Sequence, residues 1–149
     1  MRAGRQGAQE GMTLVEVLVA LLILGVGLLG AAAFQLNALK YTDSARMTSQ
    51  ASFIAYDLMD RIRANAAADY TIAPPTSGNP DVTRDQDLFD FNANIVNSLG
   101  ASATGSVTVI QKVYTITITW DDSRAAKAAD LRRSFVLSSR AAIDPVVIP

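Results

Sequence analysis

The chain has 149 residues, with 13 Lys and Arg against 14 Asp and Glu, and it contains neither cysteine nor histidine. Without these two residue types, disulfides, thiol nucleophiles, histidine-dependent catalytic pairs and the usual zinc sites are excluded. The charges are scattered, and no basic cluster is longer than Arg132-Arg133, so we predict no nucleic-acid-binding patch. We also predict no cofactor and no enzymatic activity, because the remaining Asp, Ser, Lys and Tyr residues form no recognisable catalytic arrangement.

One apolar run dominates the N-terminal part of the chain. From Val17 to Phe34 there are 18 consecutive residues without a charged or polar side chain, and from Leu14 the stretch is 21 residues long with Glu16 as its one exception. A helix of 21 residues is roughly 31 Å long, about the thickness of a membrane's hydrocarbon core. Its Val, Leu, Ile and Phe side chains favour insertion by about 3 to 7 kcal/mol, whereas one acid costs about 2.5 to 3.5 kcal/mol. The run therefore predicts a membrane-spanning helix that tolerates Glu16.

Two other interpretations of the run compete with a membrane span. A buried helix of a soluble domain is disfavoured, because the run has no polar face for water. A secretory signal remains open from composition, since residues 31–33, all alanine, have the small side chains of a cleavage site. Arg2 and Arg5 precede the run and Lys40 and Arg46 follow it, so only the terminal amino group favours an N-terminus inside the cell.

The residues before the run form a recognisable signal. A short polar leader ends at Gly11 and is followed by Met-Thr-Leu-Val-Glu-Val-Leu at residues 12–18. This arrangement resembles the class III signal of type IV prepilins and type II secretion pseudopilins. The resemblance implies that a prepilin peptidase cleaves between Gly11 and Met12 and methylates the new amino terminus at Met12. Met12 stands where the family commonly has Phe, and Glu10 precedes the glycine.

The same resemblance gives Glu16 a role. After cleavage Glu16 is the fifth residue, and the matching glutamate of pilins is thought to pair with the terminal amine of a neighbouring subunit. Opposite charges attract strongly in a low-dielectric bundle, while either charge alone is costly there, so the pair favours docking in register. The alternative is a glutamate that is simply solvated near the lipid headgroups.

A helix is predicted to continue from Gln35 to about Ala67, since no proline precedes Pro74 and the segment is rich in helix formers. Its apolar stripe has the spacing of one helical face and comprises Met47, Ala51, Ile54, Ala55, Leu58 and Ile62. The charged side chains on the other side are Asp57, Asp60, Arg61 and Arg63. Asp57 and Arg61 are predicted to form an ion pair. Asp57 and Asp60 are better explained as part of a solvated helix face than as a pair of acid-base catalysts.

Further elements follow a proline-rich loop at residues 73–80. A short helix is predicted over residues 85–99, with Thr83 or Asp85 as its cap. Its apolar face comprises Leu88, Phe91, Ile95 and Leu99. Residues 100–105 break that helix, and strands are predicted at 106–110, 113–120 and 134–140. Alternation in the second strand places Tyr114, Ile116, Ile118 and Trp120 on one face, which we expect to cover the long helix. Residues 121–130 read as a polar connection.

Two later segments narrow the resemblance. Residues 56–65, Tyr-Asp-Leu-Met-Asp-Arg-Ile-Arg-Ala-Asn, resemble the helix end of the PilV minor pilins, called type IV pilus modification proteins. Residues 118–122, Ile-Thr-Trp-Asp-Asp, resemble their I-x-W motif. The resemblance implies an α+β type IV pilin fold, with a long N-terminal helix packed on a small antiparallel sheet. It divides the chain into a leader (1–11), a membrane and filament-core helix (12–34) and a periplasmic head (35–149).

The function implied is that of a minor pilin that helps to initiate type IV pilus assembly within a priming or tip complex. Its implied partners are other minor pilins, the major pilin, prepilin peptidase, the inner-membrane assembly platform and membrane lipid. It would first be held in the inner membrane with its head in the periplasm, and later enter the pilus. The alternative is a minor pseudopilin, similar to subunit I, of a type II secretion system. An adhesive or DNA-binding pilin is disfavoured, because no basic stripe is visible in the sequence.

Overall fold

A computed structural model describes residues 13–123 and 131–141 of the chain. Helix α1 spans Leu14–Ala64 and helix α2 spans Thr83–Leu99. The strands are β1 (Thr104–Ile110), β2 (Val113–Asp121) and β3 (Arg132–Arg140). A long N-terminal helix, a short helix and an antiparallel sheet give the α+β pilin-like fold that the sequence predicts.

Helix α1 is continuous for 51 residues, and it ends three residues before the predicted end at Ala67. The chain divides into two units, Met1–Leu39 and Lys40–Pro149, and α1 runs through the boundary between them. In the first unit the described helical residues are exposed, apart from the half-buried Gly25. In the second unit, which we call the head, α1 buries one face. The contrast follows from the sequence, because apolar residues surround the first part of the helix and are confined to a stripe in the second.

The buried face of α1 matches the predicted stripe. Its buried apolar residues are Ala51, Ile54, Ala55, Leu58, Met59 and Ile62. Met47 is half-buried against the same core, and Met59 is a core residue that the predicted stripe did not include. Among the described residues of the head, one hydrophobic cluster joins this face to α2 and to the sheet.

Helix α2 lies against β1. Its four predicted core residues, Leu88, Phe91, Ile95 and Leu99, are all buried. The approach is close at Gly105 of β1, where a Cβ atom would lie 2.5 Å from side-chain carbons of Phe91 and Ile95. Gly105 therefore permits the contact between helix and strand.

The predicted cap of α2 is wrong. The N-cap residue is Val82, which has extended backbone angles and makes no side-chain capping hydrogen bond. Thr83 is already the first helical residue, and the Asp85 carboxylate accepts a hydrogen bond from Arg84 Nε at 2.9 Å. Thr83 and Asp85 are the first and third residues of the helix, so neither occupies the position before the first turn from which a side chain caps it.

The sheet has the order β1-β2-β3, and both neighbouring pairs are antiparallel. Each strand covers its predicted range and is longer by one or two residues at one end. Gln111 and Lys112 join β1 to β2 with φ angles of 50° and 63°. Positive φ at both central residues is typical of a type I′ hairpin turn, whose twist matches that of the strands.

The alternation predicted for β2 is confirmed. Ile116, Ile118 and Trp120 are buried in the same core as the stripe of α1, and Tyr114 is half-buried against it. The predicted connection after β2 needs a correction, because Asp121 belongs to the strand and Asp122 is only 3% exposed. The part of this connection at residues 124–130 lies outside the described residues.

Candidate assembly site

Thr13 immediately precedes helix α1. Its carbonyl oxygen accepts hydrogen bonds from the backbone N–H groups of Glu16 at 3.0 Å and Val17 at 3.2 Å, and its hydroxyl Oγ1 lies 3.3 Å from the Glu16 nitrogen. This is the geometry of a threonine N-cap. The sequence carries the matching signal, because threonine followed three residues later by glutamate is the pattern of a capping box. Our sequence reasoning missed this role of Thr13.

Glu16 lies in the first turn of α1 and is exposed. The N-terminus of a helix carries a partial positive charge, so a carboxylate there is favourable to the helix. Within residues 13–123 and 131–141, no hydrogen bond or ion pair engages its carboxylate. Gly11 and Met12, the predicted sites of cleavage and methylation, lie outside the described residues.

The first part of α1 exposes an apolar surface on all sides. Fifteen large apolar side chains between Leu14 and Leu39 are exposed, with exposed fractions from 40% at Val17 to 76% at Phe34. The helix contains a window of 18 residues with a mean hydropathy of 2.7, none of it buried, so by length and composition it is able to cross a membrane. A continuous apolar surface of this size requires either lipid or protein partners to cover it.

In the head, Arg61 connects the two helices. Its Nε donates to Asp57 Oδ2 at 2.9 Å, as predicted, but its Nη1 also contacts Asp87 Oδ1 at 2.9 Å and Asp90 Oδ2 at 3.3 Å. The hydrogen bond to Asp87 is the main cause that raises the pKa of Arg61 above its usual value. The predicted pair of Arg61 with Asp57 is confirmed, whereas the contacts of Arg61 with α2 were not predicted.

The other two charged residues of this helix end also pair. Arg63 Nη1 donates to Asp60 Oδ1 at 2.8 Å, and Arg63 Nη2 donates to Ser139 Oγ of β3 at 2.9 Å. Asp57 and Asp60 thus each face an arginine. This arrangement is that of surface ion pairs, because both aspartates contact an arginine while their side chains stay 55% and 72% exposed.

The Asp122 carboxylate, just after the end of β2, is buried. Asp122 Oδ2 accepts a hydrogen bond from Ser44 Oγ at 2.6 Å and contacts Arg133 Nε at 3.0 Å. These contacts join α1 to the end of β2 and the start of β3. Beside them is a polar cavity of about 360 Å³, lined in part by Asp43 and Asp121. No group of three or more metal-ligating side chains occurs in the described part of the chain.

The buried acids were not identified from the sequence, although a signal was present. Asp87 is four residues before Phe91 and follows the same helical spacing as Phe91 and Ile95, so it lies on the apolar face of α2. An acid on such a face requires a partner in the fold, because an unpaired buried carboxylate is costly.

Comparison with known proteins identifies the N-terminal segment. Residues 7–32 match the family model described as the prokaryotic N-terminal methylation motif. No curated protein and no solved structure matches the chain. The match includes Gly11, Met12 and Glu16 and covers less than a fifth of the 149 residues. The chain therefore carries a class III prepilin signal, and in this signal and in its fold it is similar to type IV pilins and pseudopilins.

Proposed function

We propose that this chain is a minor pilin, a non-enzymatic subunit that helps to initiate assembly of a type IV pilus. It is inserted in the inner membrane with its head in the periplasm and is then assembled, with other minor pilins and the major pilin, into a priming complex that lies at the pilus tip. Prepilin peptidase and the inner-membrane assembly platform act on it along this route.

One observation carries the proposal. The methylation motif at residues 7–32 coincides with the part of α1 whose apolar side chains are all left exposed. Such a helix is stable in lipid, where its backbone hydrogen bonds are internal and its surface is apolar. It is equally suited to packing against other apolar helices, so one segment serves both as membrane anchor and as filament core.

In this proposal residues 1–11 are a leader removed after Gly11, Met12 carries the methylated amino terminus, and residues 12–34 form the anchor. Glu16 lies one helical turn from that amino group and pairs with the terminal amine of a neighbouring subunit. Its exposure and its position at the start of α1 support this role. The periplasmic part, residues 35–149, contains the head and gives partner specificity, including through the segment at 56–65 that resembles PilV proteins.

Intact-mass measurement of the membrane-extracted protein tests the processing. We expect the loss of residues 1–11 and the gain of one methyl group. Gly11→Val should leave the full-length chain, because the peptidase requires the glycine, whereas Gly7→Val, a matched change within the leader, should be processed normally. Cleavage after Ala33 would show an ordinary secretory signal and contradict the proposal.

Replacement of Glu16 tests the role in assembly. Glu16→Ala should leave membrane insertion intact, since removing a charge favours insertion, and should reduce pilus incorporation and capture of partner pilins at least severalfold. Glu10→Ala is the control, because Glu10 is the other glutamate of the chain and lies in the segment removed by processing. Unchanged piliation together with unchanged capture would count against a register role.

Deletion of the gene for this chain distinguishes a minor pilin from the alternative, a minor pseudopilin. Loss of piliation and twitching with normal enzyme secretion supports the minor pilin. Loss of enzyme secretion with intact pili assigns the chain to a type II secretion system instead.

A further inference from the structure

The loop between α1 and α2 is long for a connection inside a small domain. It comprises residues 65–82, all of them described, and contains no helix or strand. Loops of this length without secondary structure are uncommon in compact domains and are usually functional or disordered. Within it, Tyr70 is the one residue that is fully buried, at 0% exposure. The position of the loop therefore depends strongly on this side chain.

The Tyr70 hydroxyl reaches a buried carboxylate on α2. It donates to Asp87 Oδ2 at 2.7 Å and accepts from Asn65 Nδ2 at 3.3 Å. The other oxygen of Asp87 accepts from Arg61 Nη1 at 2.9 Å. Asp87 is 6% exposed, so both of its oxygens are engaged away from water. One carboxylate thus holds the end of α1, the loop and α2 together.

The other polar side-chain contacts made by loop residues stay within the loop. The Asp69 carboxylate accepts from the backbone and hydroxyl of Thr71, and Asn79 Oδ1 accepts from the Asp81 backbone. Gly78 lies close to Gln86, since a Cβ atom at Gly78 would be 2.6 Å from Gln86 Oε1.

Gln86, which lies close to Gly78, is connected to Arg61 through Asp90. Gln86 Nε2 donates to Asp90 Oδ1, and the other oxygen of Asp90 contacts Arg61. The loop is therefore hydrogen-bonded through Tyr70 to a network centred on Arg61, and at Gly78 it lies close to Gln86, a second member of that network.

We propose that Arg61, Asp87 and Tyr70 form a latch that holds the loop 65–82 on the two helices, and that the loop opens when the latch is released while the sheet remains folded. While the latch is closed, it holds Ile72 and Val82 in place at the surface. These two loop side chains are each 39% exposed. The segment that resembles PilV proteins contributes Arg61 and Asn65 to this device, which assigns it a conformational role in the head. The inference goes beyond the proposed function and does not depend on it.

Hydrogen exchange of the full-length chain in detergent micelles tests the latch. Tyr70→Phe removes only the hydroxyl, and Tyr56→Phe is the control, because Tyr56 is 54% exposed on α1. Losing the hydrogen bond from Tyr70 to the Asp87 carboxylate should speed exchange in peptides covering the loop about tenfold or more. The reporters are the backbone amides of Ala68 and Thr71, which are hydrogen-bonded in the closed loop. Exchange in β2 should stay as in the control.

Limited proteolysis gives an independent measurement. Chymotrypsin cleaves after tyrosine and after phenylalanine, so position 70 remains a substrate site in Tyr70→Phe. We expect cleavage after residue 70 to be faster in Tyr70→Phe and in Asp87→Asn than in Tyr56→Phe. Two results would overturn the latch: an unchanged loop in both variants, or equal acceleration of exchange in the loop and in β2, which would mean that the whole head opens together.

Discussion

Helix α1 uses apolar residues in two different ways. Between Leu14 and Leu39 large apolar side chains point in all directions and are exposed, whereas in the head they form a stripe that the fold buries. Leu22 is 66% exposed and Leu58 is 1% exposed, although both are leucines in one continuous helix. A helix with a helical-face pattern finds its partner within its own chain, and a helix without one needs a partner supplied from outside. The loss of periodicity therefore marks the part of the molecule that, in the proposed function, is covered by lipid or by other subunits.

The acidic residues of the two regions also differ in whether their carboxylates have partners within the described chain. In the head, Asp87 and Asp122 are buried. Each carboxylate contacts one arginine and accepts a hydrogen bond from one hydroxyl group of the same chain. Glu16, in the first unit, is exposed at the start of the helix. A buried carboxylate without a partner would be costly, so the head acids have to be paired inside the fold. In the proposed function, Glu16 becomes subject to the same requirement when its surroundings become apolar in the membrane or in a filament.

The largest effect we expect separates the two leucines. Leu58→Ala should reduce the free energy of unfolding of the head by about 2 to 5 kcal/mol, because it removes a fully buried side chain and leaves a cavity. Leu22→Ala should leave it unchanged. Trp120 is the single tryptophan and is 1% exposed in the head core, so its fluorescence reports head unfolding in denaturant for the full-length chain in detergent. Equal losses in the two variants would break the distinction between the regions.

The next effect concerns Tyr70 at high pH. Burial and the hydrogen bond to Asp87 raise the pKa of Tyr70 to about 12. Because the folded-state pKa lies above the value of about 10 expected for the unfolded chain, the stabilisation is complete below pH 10 and is lost as the pH rises towards 12. The loss should approach about 2 to 3 kcal/mol.

Denaturation monitored by Trp120 between pH 9 and pH 12 measures this contribution. Tyr70→Phe should show a smaller decline over that range, since it has no hydroxyl to ionise. Tyr56→Phe retains Tyr70 and should follow the parent chain. Identical pH profiles for Tyr70→Phe and the parent would show that Tyr70 is not protected from ionisation.

Much of the fold was predictable because it depends on patterns of apolar residues that repeat over short stretches of sequence. The stripe of α1 and the alternation in β2 repeat every few residues, so burial on one face can be predicted locally. The prepilin signal was recognised from Gly11 and the residues that follow it. The polar contacts were not predicted, because the partners are distant: Arg61 and Asp87 are 26 positions apart, and Ser44 and Asp122 are 78 apart. The cap at Val82 was missed for a different reason, since valine has no side-chain acceptor to signal a helix start.

The smallest effect we expect concerns the hydrogen bond between Ser44 and the buried Asp122 carboxylate. Ser44→Ala should cost about 1 to 2 kcal/mol of head stability, because the Asp122 carboxylate loses a hydrogen bond while still contacting Arg133. Ser49→Ala is the matched control, since Ser49 lies on the exposed side of α1 and donates only to the carbonyl of Ala45. Both changes give the helix the same gain in intrinsic propensity, so the difference between them isolates the contact with Asp122. Two variants of equal stability would mean that Asp122 does not need Ser44, and that Arg133 alone compensates for its burial.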